Sequence, residues 1–240
     1  MPKVYRMFAF LLLSICISTS IPNTSYANSA EPPSILIIVP NAPDDLEISI
    51  GSEDTFTKAK KTDKTIERYY TFYYRDVQKV SSYTLSIMRG NTHYEIALDK
   101  PPNYHNNIYT LDLGTQTLTQ GKSLSRSILL ISLRIILTLV IEGIVFWQFG
   151  FRKERSWKAF VIINLITQGW LNLWINSFSP LVSYLLFSLI FAEMIIIIVE
   201  TLLFSIFTKE HSKATTIAYV LCSNILSLVV GGYIITKMPV

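Results

Sequence analysis

Residues 127–149 read SILLISLRIILTLVIEGIVFWQF, and only Arg134 and Glu142 among them carry charge. A bilayer core about 30 Å thick is crossed by roughly 20 apolar residues of helix, so this stretch has the length and composition of a membrane span. Three later stretches match it, at 158–178, 181–207 and 214–236. The chain therefore divides near residue 124. Residues 124–240 are expected to form a four-helix transmembrane domain, and everything before them has a different character.

Across 240 residues, half are hydrophobic, 16% are charged and the mean hydropathy is +0.37. Soluble domains carry about a quarter charged residues, which argues against an ordinary cytosolic enzyme. The charge that exists is concentrated upstream, where residues 28–123 hold 12 Asp/Glu against 10 Lys/Arg. The overall charge of +4 thus sits beside the apolar stretches and does not point to nucleic acid as a partner.

Residues 1–27 read as a secretory signal peptide. Lys3 and Arg6 give the positive start, residues 8–17 give an apolar segment too short to span, and Ser25 and Ala27 suit cleavage before Asn28. A lipoprotein reading at Cys16 is weaker, because Ile15 stands where a small residue is wanted. Loss of Cys16 leaves Cys222 in an apolar segment, so the exported part is expected to fold without a disulfide.

Between residues 34 and 119 the pattern is that of strands. Leu46, Ile48 and Ile50 alternate with Glu47 and Ser49, which buries one face. Residues 83–88 and 93–98 alternate around Arg89-Gly90-Asn91 and read as a hairpin. Residues 35–39, 69–74 and 108–113 supply further strands, Lys58, Lys60, Lys61 and Lys64 mark a solvated loop, and Pro101-Pro102-Asn103 punctuates the chain. Six or seven short strands in this span fit an all-β, immunoglobulin-like antiparallel sandwich over residues 28–123. Tyr69, Tyr70, Phe72, Tyr73 and Tyr74 could form a binding face, but core packing of alternate members is the favoured explanation. His93 and His105 lack a second ligand at metal spacing, and no metal site is expected there.

Orientation follows from loop charge. Arg152, Lys153, Arg155 and Lys158 crowd the first connection, Lys209 and Lys213 the third, while residues 176–180 are uncharged. Short basic loops stay in the cytoplasm, which places the domain of residues 28–123 outside a plasma membrane, as a signal peptide independently requires. Trp147, Trp157 and Trp174 fall near the interfaces.

Charges inside a span cost about 2.5–3.5 kcal/mol each on the insertion scale, so those present ask for an explanation. Arg134, Thr138 and Glu142 share one helix face, as do Glu193 and Glu200. Asn164, Gln168, Asn172 and Asn176 recur every four residues, and Asn224 lies between Ser223 and Ser227. Counted at about 1.5 Å per residue, Glu142, Asn164 and Glu200 fall at one depth and Asn224 somewhat deeper. Arg134 and Glu193 are close enough in depth to pair. The expected candidate site is thus an intramembrane polar seam of Arg134, Glu142, Asn164, Gln168, Asn172, Glu193, Glu200 and Asn224. It would serve as a cation or proton site or a small polar cavity, or as interhelical hydrogen bonding that contributes about 0.6 kcal/mol per bond.

Enzyme signatures are missing from the sequence: HExxH, GxSxG, a Walker loop and GxGxxG are all absent. No catalytic residue, metal ligand or cofactor is assigned. The stretches Leu137-Thr138-Leu139-Val140-Ile141-Glu142, Phe149-Gly150-Phe151-Arg152, Asn164-Leu165-Ile166-Thr167-Gln168 and Leu171-Asn172 resemble a group of uncharacterised bacterial membrane proteins, mainly of Gram-positive type. The resemblance implies an exported β domain before four spans and brings no activity with it. Two functions are expected. One is an extracytoplasmic binding domain for an envelope ligand, anchored by helices that couple to another membrane protein. The alternative is a small transporter or ion-conducting subunit using the intramembrane carboxylates, with an intramembrane hydrolase a distant third.

Overall fold

Leu46, Ile48 and Ile50 do turn one way. They belong to β2 (Leu46–Ser52) and are buried, while Glu47 and Ser49 between them are only half-buried. The computed structural model of the chain describes residues 32–52, 55–77, 82–99, 107–180 and 185–239. The expected signal peptide (1–27), His105, the Pro101-Pro102-Asn103 break and the first residues of the expected third span (181–184) lie outside the described residues.

The N-terminal part is all-β and built from two sheets. One has the order β4 (Lys60–Lys64), β5 (Glu67–Tyr73), β1 (Ser34–Pro40), β8 (Asn107–Asp112), β9 (Thr117–Gln120). The other runs β3 (Thr55–Lys58), β2, β6 (Ser82–Arg89), β7 (Thr92–Asp99). Ile35, Ile37 and Val39 of β1 pack in one cluster with Ile48 and Ile50 of β2 and with Leu85 and Ile87 of β6, so both sheets contribute to a single core. Each such fully buried aliphatic side chain contributes roughly 1.5–3 kcal/mol. The predicted hairpin is β6–β7, paired from Tyr83↔Leu98 to Arg89↔Thr92, and Gly90 takes a φ of +52° at its turn.

Three details differ from the sequence reading. Nine strands are present among the described residues instead of six or seven. The lysine-rich stretch expected to be a loop supplies β4, which pairs with β5 from Lys60↔Thr71 to Lys64↔Glu67. It lies at a sheet edge, where lysines are tolerated because they discourage further pairing. The sheets are also not wholly antiparallel: β1 pairs with β8 in parallel, Ile35↔Asn107 to Ile38↔Thr110. A parallel neighbour needs a long crossover, and the strands from β2 to β7 supply it.

The aromatic run resolves into core. Tyr70 and Phe72 point into the inter-sheet cluster, and Tyr69 points the other way beside Leu36 and Ile38; all three are at most 2% exposed. The Tyr70 hydroxyl donates to Leu46 O at 3.0 Å.

Four long helices follow: α1 (Leu124–Gln148), α2 (Glu154–Ser177), α3 (Leu185–Phe207) and α4 (Lys213–Lys237). Three of them, α1, α3 and α4, are long and apolar enough to cross a membrane, which makes this a membrane protein. The helix α2 has the length, but Lys158 and the amides spaced along it make it more polar. The described residues form two compact units: a β unit of residues up to Ile128 that also takes in 179–180 and 237–239, and a helical unit of residues 129–178 and 185–236.

Candidate functional site in the helical unit

The site follows from which face each helix turns inward. On α2 the buried residues are Ser156, Phe160, Ile163, Asn164, Thr167, Gln168, Leu171, Asn172 and Ile175, a spacing mostly of three and four residues that gives one stripe. Its opposite face is apolar and exposed: Ile162 is 59%, Ile166 64% and Leu173 65% accessible. Polar in and apolar out is the reverse of a water-soluble helix. The other three helices bring Glu142, Glu193, Glu200, Ser223, Asn224 and Ser227 to the interior.

These side chains fall into layers. Nearest the end that carries the basic connections is an aromatic layer of Phe146, Phe151, Phe160, Phe204 and Tyr219. Phe146 stacks on Phe151 at 4.2 Å between ring centroids and meets Tyr219 at 4.9 Å. The two connections are joined there through Glu210, whose carboxylate accepts from Arg152 N at 2.8 Å and Lys153 N at 3.1 Å. Desolvation works to raise the pKa of Glu210, but these N–H groups and Ser156 outweigh it and hold the carboxyl below its ordinary value.

One turn deeper lies the inner polar layer. Glu142 and Glu200 follow the spacing of Phe146 and Phe204, four residues before each, and Asn164 stands four after Phe160. Glu142, Asn164, Glu200 and Asn224 have no solvent exposure. The Glu200 carboxylate accepts from Thr167 Oγ1 on α2 and from Asn224 Nδ2 on α4, each at 2.7 Å, and so links three helices. Glu142 on α1 is within electrostatic reach of Glu200 and Glu193. Neither of its oxygens has a hydrogen-bond partner among the described residues. Tyr219 lies within reach of both Glu142 and Glu200, beside Asn164.

The outer layer surrounds a cavity of about 40 Å³, lined by Arg134, Thr138, Gln168, Asn172, Glu193 and Ser227 among others. That is room for about two or three waters. Ser227 Oγ donates to Thr138 Oγ1 at 3.5 Å, and Gln168 Nε2 and Glu193 Oε2 have no hydrogen-bond partner among the described residues.

All eight residues expected from the sequence are therefore in the helical unit, in two groups: Glu142, Asn164, Glu200 and Asn224 inside, Arg134, Gln168, Asn172 and Glu193 around the cavity. Arg134 and Glu193 both line that cavity. Sequence reasoning missed Thr167 and Tyr219. Thr167 was detectable, being three residues after Asn164 and so on the same face; Tyr219 has no such signal within its apolar surroundings. Among the described residues, no three or more His, Cys, Asp and Glu come together as a metal-binding group. The one cysteine among them, Cys222, is buried and free. No known protein family and no curated protein matches the chain.

Proposed function

We propose that this chain is a multi-pass protein of a bacterial plasma membrane, with its β domain on the outer side and a helical unit that binds and passes a small cation, proton or metal. The observation that carries the reading is Glu142: a fully buried carboxylate with neither oxygen partnered among the described residues, within electrostatic reach of the buried Glu200 carboxylate. Packing alone gives no reason to keep such a group, because an uncompensated charge or polar group in an apolar interior is costly. A bound positive species removes that cost. The apolar outer face of α2 supports its insertion as a fourth span, with the polar ladder turned away from lipid. Tyr69, Tyr70 and Phe72 are buried in the β domain and Tyr73 and Tyr74 half-buried, which supports weighing ion handling above ligand binding by the aromatic run. Coupling to another membrane protein remains part of the reading.

The test is flux. Full-length protein in liposomes should dissipate an imposed proton or metal-cation gradient, and Glu142→Gln or Glu200→Gln should abolish this while leaving the amount of inserted protein unchanged. Equal flux in both variants and the parent would refute the proposal and return the helical unit to the role of an anchor.

A further inference from the structure

The two polar layers differ in the kind of atom they leave unsatisfied. Around the outer cavity there is a donor, Gln168 Nε2, and an acceptor, Glu193 Oε2. Water satisfies both, and the cavity is of a size for water. The inner layer is different. Its atoms without a hydrogen-bond partner among the described residues are Glu142 Oε1, Glu142 Oε2, Asn164 Oδ1 and Asn224 Oδ1, all acceptors, and the Tyr219 hydroxyl, a donor that lies next to Asn164 and Ser223 and can answer one of them.

The amide oxygens are held in that orientation by their own helices. Asn164 Nδ2 donates to Phe160 O at 2.9 Å, and Asn224 Nδ2 donates to Val220 O at 3.0 Å as well as to Glu200. Rotating either amide would set an oxygen against a carbonyl oxygen, so the NH₂ groups stay on the backbone and Oδ1 stays free. The donors that do reach the carboxylates, Thr167 Oγ1 and Asn224 Nδ2, both go to Glu200. Among the described residues no Lys, Arg or His belongs to the inner layer; His211 packs edge-on against Phe151 in the aromatic layer, at 4.7 Å between ring centroids.

Resting on the reading above, we infer that the inner layer is a binding site for one hard divalent cation of the Ca²⁺, Mg²⁺ or Mn²⁺ class, held by Glu142, Glu200, Asn164 and Asn224. The Tyr219 hydroxyl answers at most one of these acceptors and a single proton one more, whereas those that remain need a ligand that takes several at once. Ions of this class accept six or more oxygens at about 2.0–2.6 Å, and they prefer carboxylate and amide oxygen to nitrogen or sulfur. Two carboxylates balance a charge of two, which leaves the layer neutral in surroundings where a net charge is costly. With only two acidic ligands and the rest neutral oxygens, the site is built for exchange rather than permanent retention.

Manganese is the probe. Purified full-length protein is titrated with Mn²⁺ and free ion is read by electron paramagnetic resonance, with Ca²⁺ and Mg²⁺ as competitors. One Mn²⁺ per chain is expected, with affinity falling on the order of 100-fold in Glu142→Gln and in Glu200→Gln, as loss of a ligand should exceed what loss of a supporting partner costs. Asn164→Ala, which removes a neutral ligand and keeps both carboxylates, should weaken binding by at least about 10-fold and decides the matter if the Glu variants do not fold. Binding that is unchanged in Asn164→Ala and in the Glu variants that fold would overturn the inference. So would an absence of Mn²⁺ binding in the parent. If the parent binds no metal but Glu142→Gln removes a protonated-carboxyl infrared band and abolishes proton flux, the metal assignment falls and the wider ion-handling reading stands. If metal binding and all flux are both absent, both fall.

Discussion

Arg126 and Glu67 give the sharpest stability prediction. Arg126 lies in the first turn of α1, in the part of that helix that belongs to the β unit, and Glu67 opens β5. Arg126 Nε donates to Glu67 Oε2 at 2.7 Å, Nη2 reaches the other carboxylate oxygen, and Nη2 also lies 3.3 Å from the Tyr69 hydroxyl. The side chains are only 6% and 2% exposed. Removing one partner leaves the other as an uncompensated buried charge, which costs about 3–5 kcal/mol. In a domain of this size 1 kcal/mol moves Tm by about 4–8 °C, so Glu67→Gln or Arg126→Gln should lower the β unit's Tm by about 12 °C or more. Replacing both, Glu67→Leu with Arg126→Met, should restore most of the loss, because a well-packed apolar pair is often as stable as a buried ion pair. The assay is thermal proteolysis of the full chain, reading cleavage within residues 32–120. Single changes that shift Tm by less than about 4 °C, or a double change whose loss equals the sum of the singles, would refute the argument.

Two further outcomes are expected. In intact cells, with the native cysteines replaced by serine, an impermeant thiol reagent should label Ser177→Cys and spare Ser156→Cys and Ser212→Cys; labelling of Ser156→Cys would invert the proposed orientation. In the β unit, burial and the neighbouring Tyr83 and Tyr109 push the Tyr74 hydroxyl up to about 12, against the opposing hydrogen bond from Asn107 Nδ2 at 2.9 Å. Because the folded form holds this proton more tightly than the unfolded chain, its contribution is complete below about pH 10 and is lost as pH rises from there towards 12. Alkaline destabilisation should therefore be weaker in Tyr74→Phe, and identical pH profiles between pH 10 and 12 for the two proteins would contradict the assignment.

What could be read in advance follows from how local each signal is. The hairpin of β6 and β7 was legible because alternation and a glycine turn are properties of neighbouring residues. β4 was not, because an exposed edge strand with Lys60, Lys61 and Lys64 has the composition of a loop, and only its pairing with β5 makes it a strand. The parallel pairing of β1 with β8 joins residues about seventy positions apart, and no local pattern encodes it. The polar ladder of α2 was legible but its period was misleading. Steps of four residues advance about 40° beyond a full turn each time, so the stripe drifts. Asn164 and Asn172 are buried at 0% and 4%, whereas Asn176 is only half-buried.

The layering also bears on how an ion would reach the inner site. Phe146, Phe151, Phe160, Phe204 and Tyr219 fill the space on the side of the basic connections with ring-on-ring contacts of 4.2 to 6.0 Å. Apart from the Tyr219 hydroxyl, the rings of this layer offer a cation no oxygen with which to replace its hydration shell. The other side holds the water-sized cavity, with Glu193 on its wall and within electrostatic reach of both Glu142 and Glu200. On the proposed reading an ion enters from that side, shedding water first at Glu193. Arg134 on the same wall opposes retention there, since like charges a few ångströms apart in a low-dielectric region repel by several kcal/mol. The arrangement therefore favours passage to the acceptor-rich inner layer over trapping in the outer cavity. Neutralising Arg134 should lengthen an ion's stay beside Glu193, whereas Glu142 and Glu200 control whether it binds further in.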